Sequence, residues 1–127
     1  GSHAGWDLVY YEQDIGGVAM DWIILEVSDG SNWYTVLNWG DGAGNPGTNI
    51  DLPLPVPPNT TTCAGEPDNC MIDPSLLYPF PGYGIAIDLD NAGLAIPNGA
   101  VISYLRITVP SGGDDGGAGI DGIYVVP

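Results

Sequence analysis

The sequence predicts an all-β fold, an antiparallel β-sandwich of the jelly-roll type with about eight strands. The chain contains 20 Gly and 12 Pro, and no segment repeats apolar residues at the 3.6-residue spacing of a helix, so we expect no substantial helix. Short runs of β-branched and aromatic residues lie between turn-forming residues. Within these runs apolar and polar residues alternate, which is typical of strands with one face in a core and one in water.

The predicted strands follow one another between turn signals. Six segments have clear β-type composition: 6–12, 20–28, 33–39, 83–90, 100–109 and 119–126. Two weaker segments lie near 49–52 and 70–72. Each strand is expected to be half buried, as in a sandwich, and Trp22 and Trp33 are expected in the core.

Alternation also predicts which residues of two strands face the core. In segment 83–90 they are Tyr83, Ile85, Ile87 and Leu89, and in segment 100–109 they are Val101, Leu105, Ile107 and Val109. The residues between them, including Ile102, Tyr104 and Arg106, are expected on the opposite face.

One domain is expected, because 127 residues suit a single core. Residues 1–3 are interpreted as the remnant of a purification tag, which leaves 4–127 as the domain. The proline-rich segment 51–81 interrupts the strand pattern and is expected to be a long surface loop. Cys63 and Cys70 are expected to tether it as a disulfide, because their spacing fits neither a redox Cys-x-x-Cys nor a zinc site; a secreted or cell-surface protein follows.

The charge balance limits the partners. The chain has sixteen Asp and Glu residues and a single basic residue among Lys and Arg, which is Arg106, so its net charge is −15. Nucleic acid is therefore not expected as a partner, and membrane insertion is not expected either, since no apolar run is long enough. Clustered carboxylates favour a divalent cation, Ca²⁺ above all. A solvated acidic surface is the alternative.

The acidic residues form two groups that are candidates for calcium. In a jelly roll the first and last strands are expected to be antiparallel neighbours, which brings Glu12 close to the last strand. The first group comprises Glu12, Asp21, Asp114, Asp115 and Asp121. The second comprises Asp41, Asn49 and Asp51, with Asn45 between them, but its spacing is not that of an EF-hand. For both groups, Asx turns are the alternative.

Aromatic residues suggest a second kind of site. The chain has four Trp and seven Tyr, and sugar rings stack on aromatic faces beside polar side chains. Trp39 and Tyr83, with Asp88 nearby in sequence, are the predicted ligand-binding residues, and a core position for Trp39 is the alternative. The expected partner is a polysaccharide or a glycoprotein surface.

Three segments resemble one family. The run Leu25-Glu-Val-Ser-Asp-Gly-Ser-Asn-Trp-Tyr-Thr-Val36 resembles a hairpin of discoidin-like domains, the coagulation factor V/VIII C-type modules and their carbohydrate-binding relatives with a galactose-binding jelly roll. Ser103-Tyr-Leu-Arg-Ile-Thr-Val-Pro110 and Ile120-Asp-Gly-Ile-Tyr-Val-Val126 are similar to its later strands. The resemblance implies a jelly roll that recognises glycans, lipids or proteins, often with bound calcium. The chain departs from it in segment 51–81 and in lacking cysteines near both termini.

The functional expectation is a calcium-binding, non-catalytic extracellular module that binds carbohydrate or mediates adhesion within a larger protein. Catalysis by a Ser-His-Asp, Cys-His or Schiff-base mechanism is not expected, because the sequence has no Lys and its one His, His3, lies in the tag remnant. One alternative is a structural, self-associating surface-layer domain. Another is a glycoside hydrolase that uses two carboxylates, Asp88 and Asp90.

Overall fold

The computed structural model describes residues 5–12, 18–39, 41, 43–51, 70–72, 76–78, 84–110 and 119–127. This part of the chain is all-β. Its strands are β1 (Leu8–Glu12), β2 (Val18–Met20), β3 (Ile23–Ser28), β4 (Trp33–Trp39), β5 (Cys70–Ile72), β6 (Gly84–Ile87), β7 (Tyr104–Thr108) and β8 (Ile120–Val125), with one 3-10 turn at Ala92–Leu94. No helix in these ranges is long and apolar enough to cross a membrane.

Two antiparallel three-stranded sheets form the body of the fold. One has the order β6-β1-β8 and the other β4-β3-β7, while β2 and β5 form a separate antiparallel pair. β1 pairs with β8 along its length, so the expected contact between the first and last strands is confirmed. The arrangement is consistent with a β-sandwich, and the jelly-roll connectivity stays a prediction.

One hydrophobic cluster joins the two sheets. Its members alternate along the strands, because successive side chains of a strand point to opposite faces. The cluster includes Leu8 and Tyr10 of β1, Ile23, Leu25 and Val27 of β3, and Ile85 and Ile87 of β6, all buried. Burial of this apolar area is the main force that holds the sheets together.

A β-bulge reverses the expected positions of two tryptophans. Leu25 pairs with Leu37, whereas the next residue, Glu26, pairs with Thr35. Val36 is therefore an extra residue in β4, and the residues on its two sides exchange faces. Trp39 lies in the core at 4% exposure, while Trp33 is 44% exposed, so the prediction that Trp33 belongs to the core is wrong.

β6 is buried more completely than its alternating pattern predicts. All of its residues, including Gly84 and Ala86 on the face away from the core, are buried. Gly84 packs closely against Val9 and Tyr11 of β1, and segment 48–49 covers the other edge of the strand through the Thr48 bridge to Ile87. Half burial therefore does not apply to β6. Segment 49–51 forms a turn instead of the predicted strand.

Two further segments depart from the prediction. The single strand expected over 20–28 is interrupted at Asp21 and Trp22. β7 begins only at Tyr104, so Val101 precedes the strand and is 77% exposed. Ile107 and Ile102 pack against the core, whereas Leu105 is exposed. Leu105 is exposed because β7 forms the edge of its sheet and, within the described residues, pairs with β3 alone.

Candidate functional site

The end of β1 carries a buried carboxylate. Glu12 lies on the same strand face as Leu8 and Tyr10, which alternation directs into the core, and it is 2% exposed. The pairing with β8 changes register at this point: Tyr11 pairs with Gly122, but Glu12 pairs with Ile120. Asp121 is therefore the extra residue of a β-bulge directly beside Glu12, and bulges of this kind redirect side chains at functional sites.

Asp21 joins Glu12 from the break between β2 and β3. Its backbone N–H donates to Glu12 Oε1 at 3.1 Å, and its own Oδ2 accepts from the backbone N–H of Gly119 at 2.7 Å. Asp21 is 9% exposed. Asp21 thus connects the end of β1, through its backbone N–H, with the residue before β8, through its carboxylate. Two of the five residues predicted for the first group, Glu12 and Asp21, are in direct contact, and Asp121 lies at the bulge beside Glu12.

The charges at this site have no cationic side chain to balance them. The single Arg of the sequence, Arg106, forms an ion pair with Glu26 at 2.7 Å. Burial, and then the neighbouring Asp21 carboxylate, raise the pKa of Glu12 to about 8, although the backbone N–H of Asp21 acts in the opposite direction. Burial and the negative charges of Glu12, Asp21 and Asp121 also raise the pKa of Tyr10.

Two buried polar atoms at this site have no hydrogen-bond partner in the structure, Glu12 Oε2 and Tyr10 Oη. The Tyr10 hydroxyl lies close enough to Glu12 to lower the pKa of its carboxyl group. The two groups are nevertheless not joined by a hydrogen bond of acceptable geometry. A buried carboxylate oxygen without a donor is costly, and it is the kind of ligand that calcium prefers. The donor set therefore fits a hard cation in its chemistry.

The described residues alone do not complete a metal centre. Among them, no three Asp, Glu, His or Cys side chains are grouped closely enough to hold an ion. Asp114 and Asp115, the other members of the first group, lie outside the described residues. A calcium site here therefore requires ligands from segment 111–118 or from backbone carbonyls.

The second predicted group is engaged in hydrogen bonds within the chain. Asp41 Oδ1 accepts from Ala43 N and its Oδ2 from Asn38 Nδ2, the first of these being an Asx turn. Asn45 Oδ1 accepts from Asn38 N. Asn49 Oδ1 accepts from Ala86 N at 2.9 Å, and its Nδ2 donates to Leu76 O. Asp51 is exposed. This arrangement favours Asx turns and edge capping over metal binding.

The predicted ligand-binding residues do not form one surface. Trp39 is buried in the core, which is the alternative position that the sequence left open for it. Tyr83 lies outside the described residues. Asp88 Oδ1 accepts from Asp90 N, which places both carboxylates of the hydrolase alternative in one turn after β6. Of the predicted disulfide, Cys63 lies outside the described residues and Cys70 is described only as backbone of β5.

An exposed aromatic surface that the sequence did not reveal lies on the outer face of the β4-β3-β7 sheet. Trp33 and Tyr104 are 44% and 60% exposed, and the Arg106 guanidinium lies 4.1 Å from the centre of a Trp33 ring. The Arg106 side chain also donates to Glu26 Oε2 at 2.7 Å. This surface could not be predicted from the sequence, because the bulge at Val36 determines on which face of the sheet Trp33 lies.

Comparisons with models of protein families, with curated proteins and with solved structures gave no match. The resemblance to discoidin-like domains therefore stays a prediction, and the functional argument depends on the site itself.

Proposed function

We propose that this chain is a non-catalytic extracellular module that binds Ca²⁺ where β1 meets β8 and that binds carbohydrate or mediates adhesion within a larger secreted or cell-surface protein. Calcium stabilises the junction of the strands in this proposal. The partner, a polysaccharide or a glycoprotein surface, binds elsewhere.

The observation that carries the calcium proposal is the buried pair Glu12 and Asp21. Two adjacent carboxyl groups, both at least nine-tenths buried, repel each other in a medium of low polarity unless a proton or a cation is shared between them. The Glu12 Oε2 atom has no donor in the structure. The bulge at Asp121 adds a further carboxylate at the same end of β1. In this proposal Glu12, Asp21 and Asp121 are ligands, and Asp114 and Asp115 complete the oxygen set.

The carbohydrate or adhesion part is supported by the outer face of the β4-β3-β7 sheet. Trp, Tyr and Arg carry a large share of the binding energy at protein surfaces, and Trp33, Tyr104 and Arg106 share this face. Large exposed aromatic residues on a soluble domain are typical of interaction sites.

Thermal unfolding with calcium and with chelator tests the calcium proposal. A ligand bound only by the folded state stabilises it by about 2.7 kcal/mol at a hundredfold excess over its dissociation constant. We expect Tm to rise with Ca²⁺ and to rise less with Mg²⁺, which prefers a tighter octahedral site. Glu12→Gln and Asp21→Asn keep the size of each side chain, and Asp21→Asn keeps an acceptor for Gly119, so each is expected to fold and to lose the calcium-dependent rise.

Asp90→Asn is the matched control, because Asp90 is exposed and its substitution removes the same charge. It is expected to retain the full calcium response. A Tm that is equal in Ca²⁺ and chelator for the wild-type protein would contradict the calcium proposal. An equal loss in Asp90→Asn would instead assign the response to the overall charge.

A second candidate function, self-association as a surface-layer unit, is favoured by one specific observation. Seven of the nine exposed large hydrophobic side chains of the described residues lie between Val101 and Val125. They belong to β7, β8 and the segments beside them, and both strands are sheet edges in the described part of the chain. Exposed apolar edges are sites where strands of another chain add.

A further inference from the structure

Two exposed aromatic rings on the outer face of the β4-β3-β7 sheet lie in one row across the strands. Ser28 of β3 pairs with Trp33 on one side and with Tyr104 on the other. Directly paired residues of antiparallel strands share a face, so the two rings flank Ser28. Their backbones are two strand spacings apart, about 10 Å, a separation comparable to that between one sugar ring and the next but one along an extended β-1,4-linked polysaccharide.

The Arg106 side chain holds the Trp33 ring in place, and the Tyr104 ring lies beside Gly30. The Arg106 guanidinium stacks on Trp33 and is itself held by Glu26 at 2.7 Å. The ring of Tyr104 lies beside Gly30, where an added methyl would already contact it at 3.8 Å. Ser28 between them is 2% exposed, so the row has a closed floor. Rings that are fixed before binding lose little conformational entropy when a ligand stacks on them.

The charges of this face select a neutral ligand. Arg106 and Glu26 neutralise each other, whereas the chain as a whole carries −15. An anionic ligand is repelled by the whole molecule, and a cationic one is attracted to the acidic loops instead. Polar groups beside the row, on the exposed Thr35 and Arg106 and the half-buried Glu26, are placed to bond with hydroxyls; Thr35 and Arg106 both pair with Glu26.

We propose that this face binds a neutral β-linked polysaccharide chain laid across β4, β3 and β7, with one sugar ring on Trp33 and another on Tyr104. The proposal rests on the carbohydrate-binding part of the proposed function and assigns it to residues that are separate from the calcium site. Each sugar presents its C–H face to an aromatic ring and its hydroxyls to the polar groups beside the row.

Calorimetric titration with neutral oligosaccharides of increasing length tests the assignment. The probes are β-1,4-linked oligomers of glucose, mannose, xylose and N-acetylglucosamine. We expect affinity for at least one series to increase until the oligomer spans both rings and then to level off. Because the face is neutral, the affinity is expected to change little from low to high NaCl. Trp33→Ala and Tyr104→Ala are each expected to weaken binding by roughly tenfold or more.

Tyr124→Ala is the matched control, because Tyr124 is 41% exposed but belongs to the other sheet. It is expected to bind like the wild-type protein. The Trp33 side-chain indole resonance of the wild-type protein gives a readout that needs no variant, and it is expected to shift with saturation as the oligomer is added.

Binding by none of the four series overturns the assignment, as does an equal loss in Tyr124→Ala. Binding restricted to sulfated or other charged glycans, or Trp33-dependent binding of a protein in place of these oligomers, overturns it as well. A calcium-dependent rise in Tm without oligosaccharide binding would leave the calcium proposal intact and remove this one. Oligosaccharide binding with no effect of calcium on Tm would support this proposal and contradict the calcium proposal.

Discussion

Glu12 shows how one residue is set apart by its neighbours. It ends a strand whose other inward residues belong to the hydrophobic core, and the backbone N–H that donates to it belongs to a second acid, Asp21. An isolated buried carboxylate avoids its charge by keeping a proton, and burial raises the pKa of Glu12 to about 8 for that reason. Under the calcium proposal, the Glu12 carboxyl group is protonated without metal and ionised beside the cation.

The first prediction concerns the pH dependence of metal-free stability. In the folded protein Glu12 holds its proton up to a pKa of about 8, whereas an ordinary Glu releases it near 4.5. Between these values the folded state binds more protons, so the free energy of unfolding falls as pH rises and is greatest at and below the lower value. In chelator we expect a loss of at least ~1 kcal/mol from the acidic to the alkaline end of this window.

Urea unfolding at several pH values in chelator measures this loss. Glu12→Gln removes the titrating group and is expected to flatten the dependence, while Asp90→Asn is expected to leave its slope unchanged. A wild-type stability that is constant or rises across the window would show that Glu12 is ionised in the folded protein without metal.

At the scale of elements, the edge of β6 is completed by segment 48–49. The Asn49 side chain accepts from Ala86 N and donates to Leu76 O, and its backbone N–H donates to Ala86 O at 3.1 Å. Ala86 is fully buried. The amide side chain thus supplies Ala86 N–H with the acceptor that a paired strand would otherwise supply.

Asn49→Ala is predicted to destabilise the fold by about 1–3 kcal/mol, because it leaves the buried Ala86 N–H without an acceptor. Urea unfolding measures the loss, with Asn98→Ala at an exposed turn as the control that is expected to change little. The cost is expected to be equal with Ca²⁺ and with chelator. A cost that appears only with Ca²⁺ would instead indicate that Asn49 is a metal ligand.

Gly84→Ala and Gly122→Ala form a matched pair, since both glycines pair with Tyr11 from opposite sides. A methyl on Gly84 would lie 2.6 Å from Val9 Cγ1 and 2.8 Å from the Tyr10 carbonyl oxygen, whereas one on Gly122 meets nothing within 4 Å. We expect Gly84→Ala to cost about 1–3 kcal/mol by overpacking and Gly122→Ala to be neutral or slightly stabilising. Equal unfolding midpoints for the two variants would contradict this packing of β6 against β1.

The sequence predicted the elements better than their faces. The bounds of β4 agree with the predicted segment 33–39, and the contact of β1 with β8 followed from the expected topology. The bulge at Val36 could not be predicted from the composition, yet it determines that Trp39 is buried and Trp33 is exposed. Asp21 was expected near Glu12, but its bond to Gly119 joins residues 98 positions apart, a contact that only the folded chain brings about.

At the scale of the whole molecule, charge and apolar edges act against each other. The net charge of −15 keeps copies apart at neutral pH. The exposed apolar side chains of β7 and β8 favour contact once that repulsion is removed. Which of the two prevails is therefore set by pH and by bound cations, and the calcium ion proposed at the β1 and β8 junction would reduce the same negative charge.

The last prediction follows from this balance. Near pH 4.1, the sequence isoelectric point, the repulsion between copies disappears, and Glu12 is protonated, so its burial does not destabilise the fold there. Association at that pH is therefore expected between folded copies, with sedimentation velocity showing monomers at neutral pH and larger species near pH 4.1 while circular dichroism stays unchanged. Leu105→Lys, on the edge strand β7, is expected to reduce this association more than Asn98→Lys, which makes the same charge change at an exposed turn. If both variants associate equally, loss of charge alone accounts for the contact and the apolar edge does not direct it.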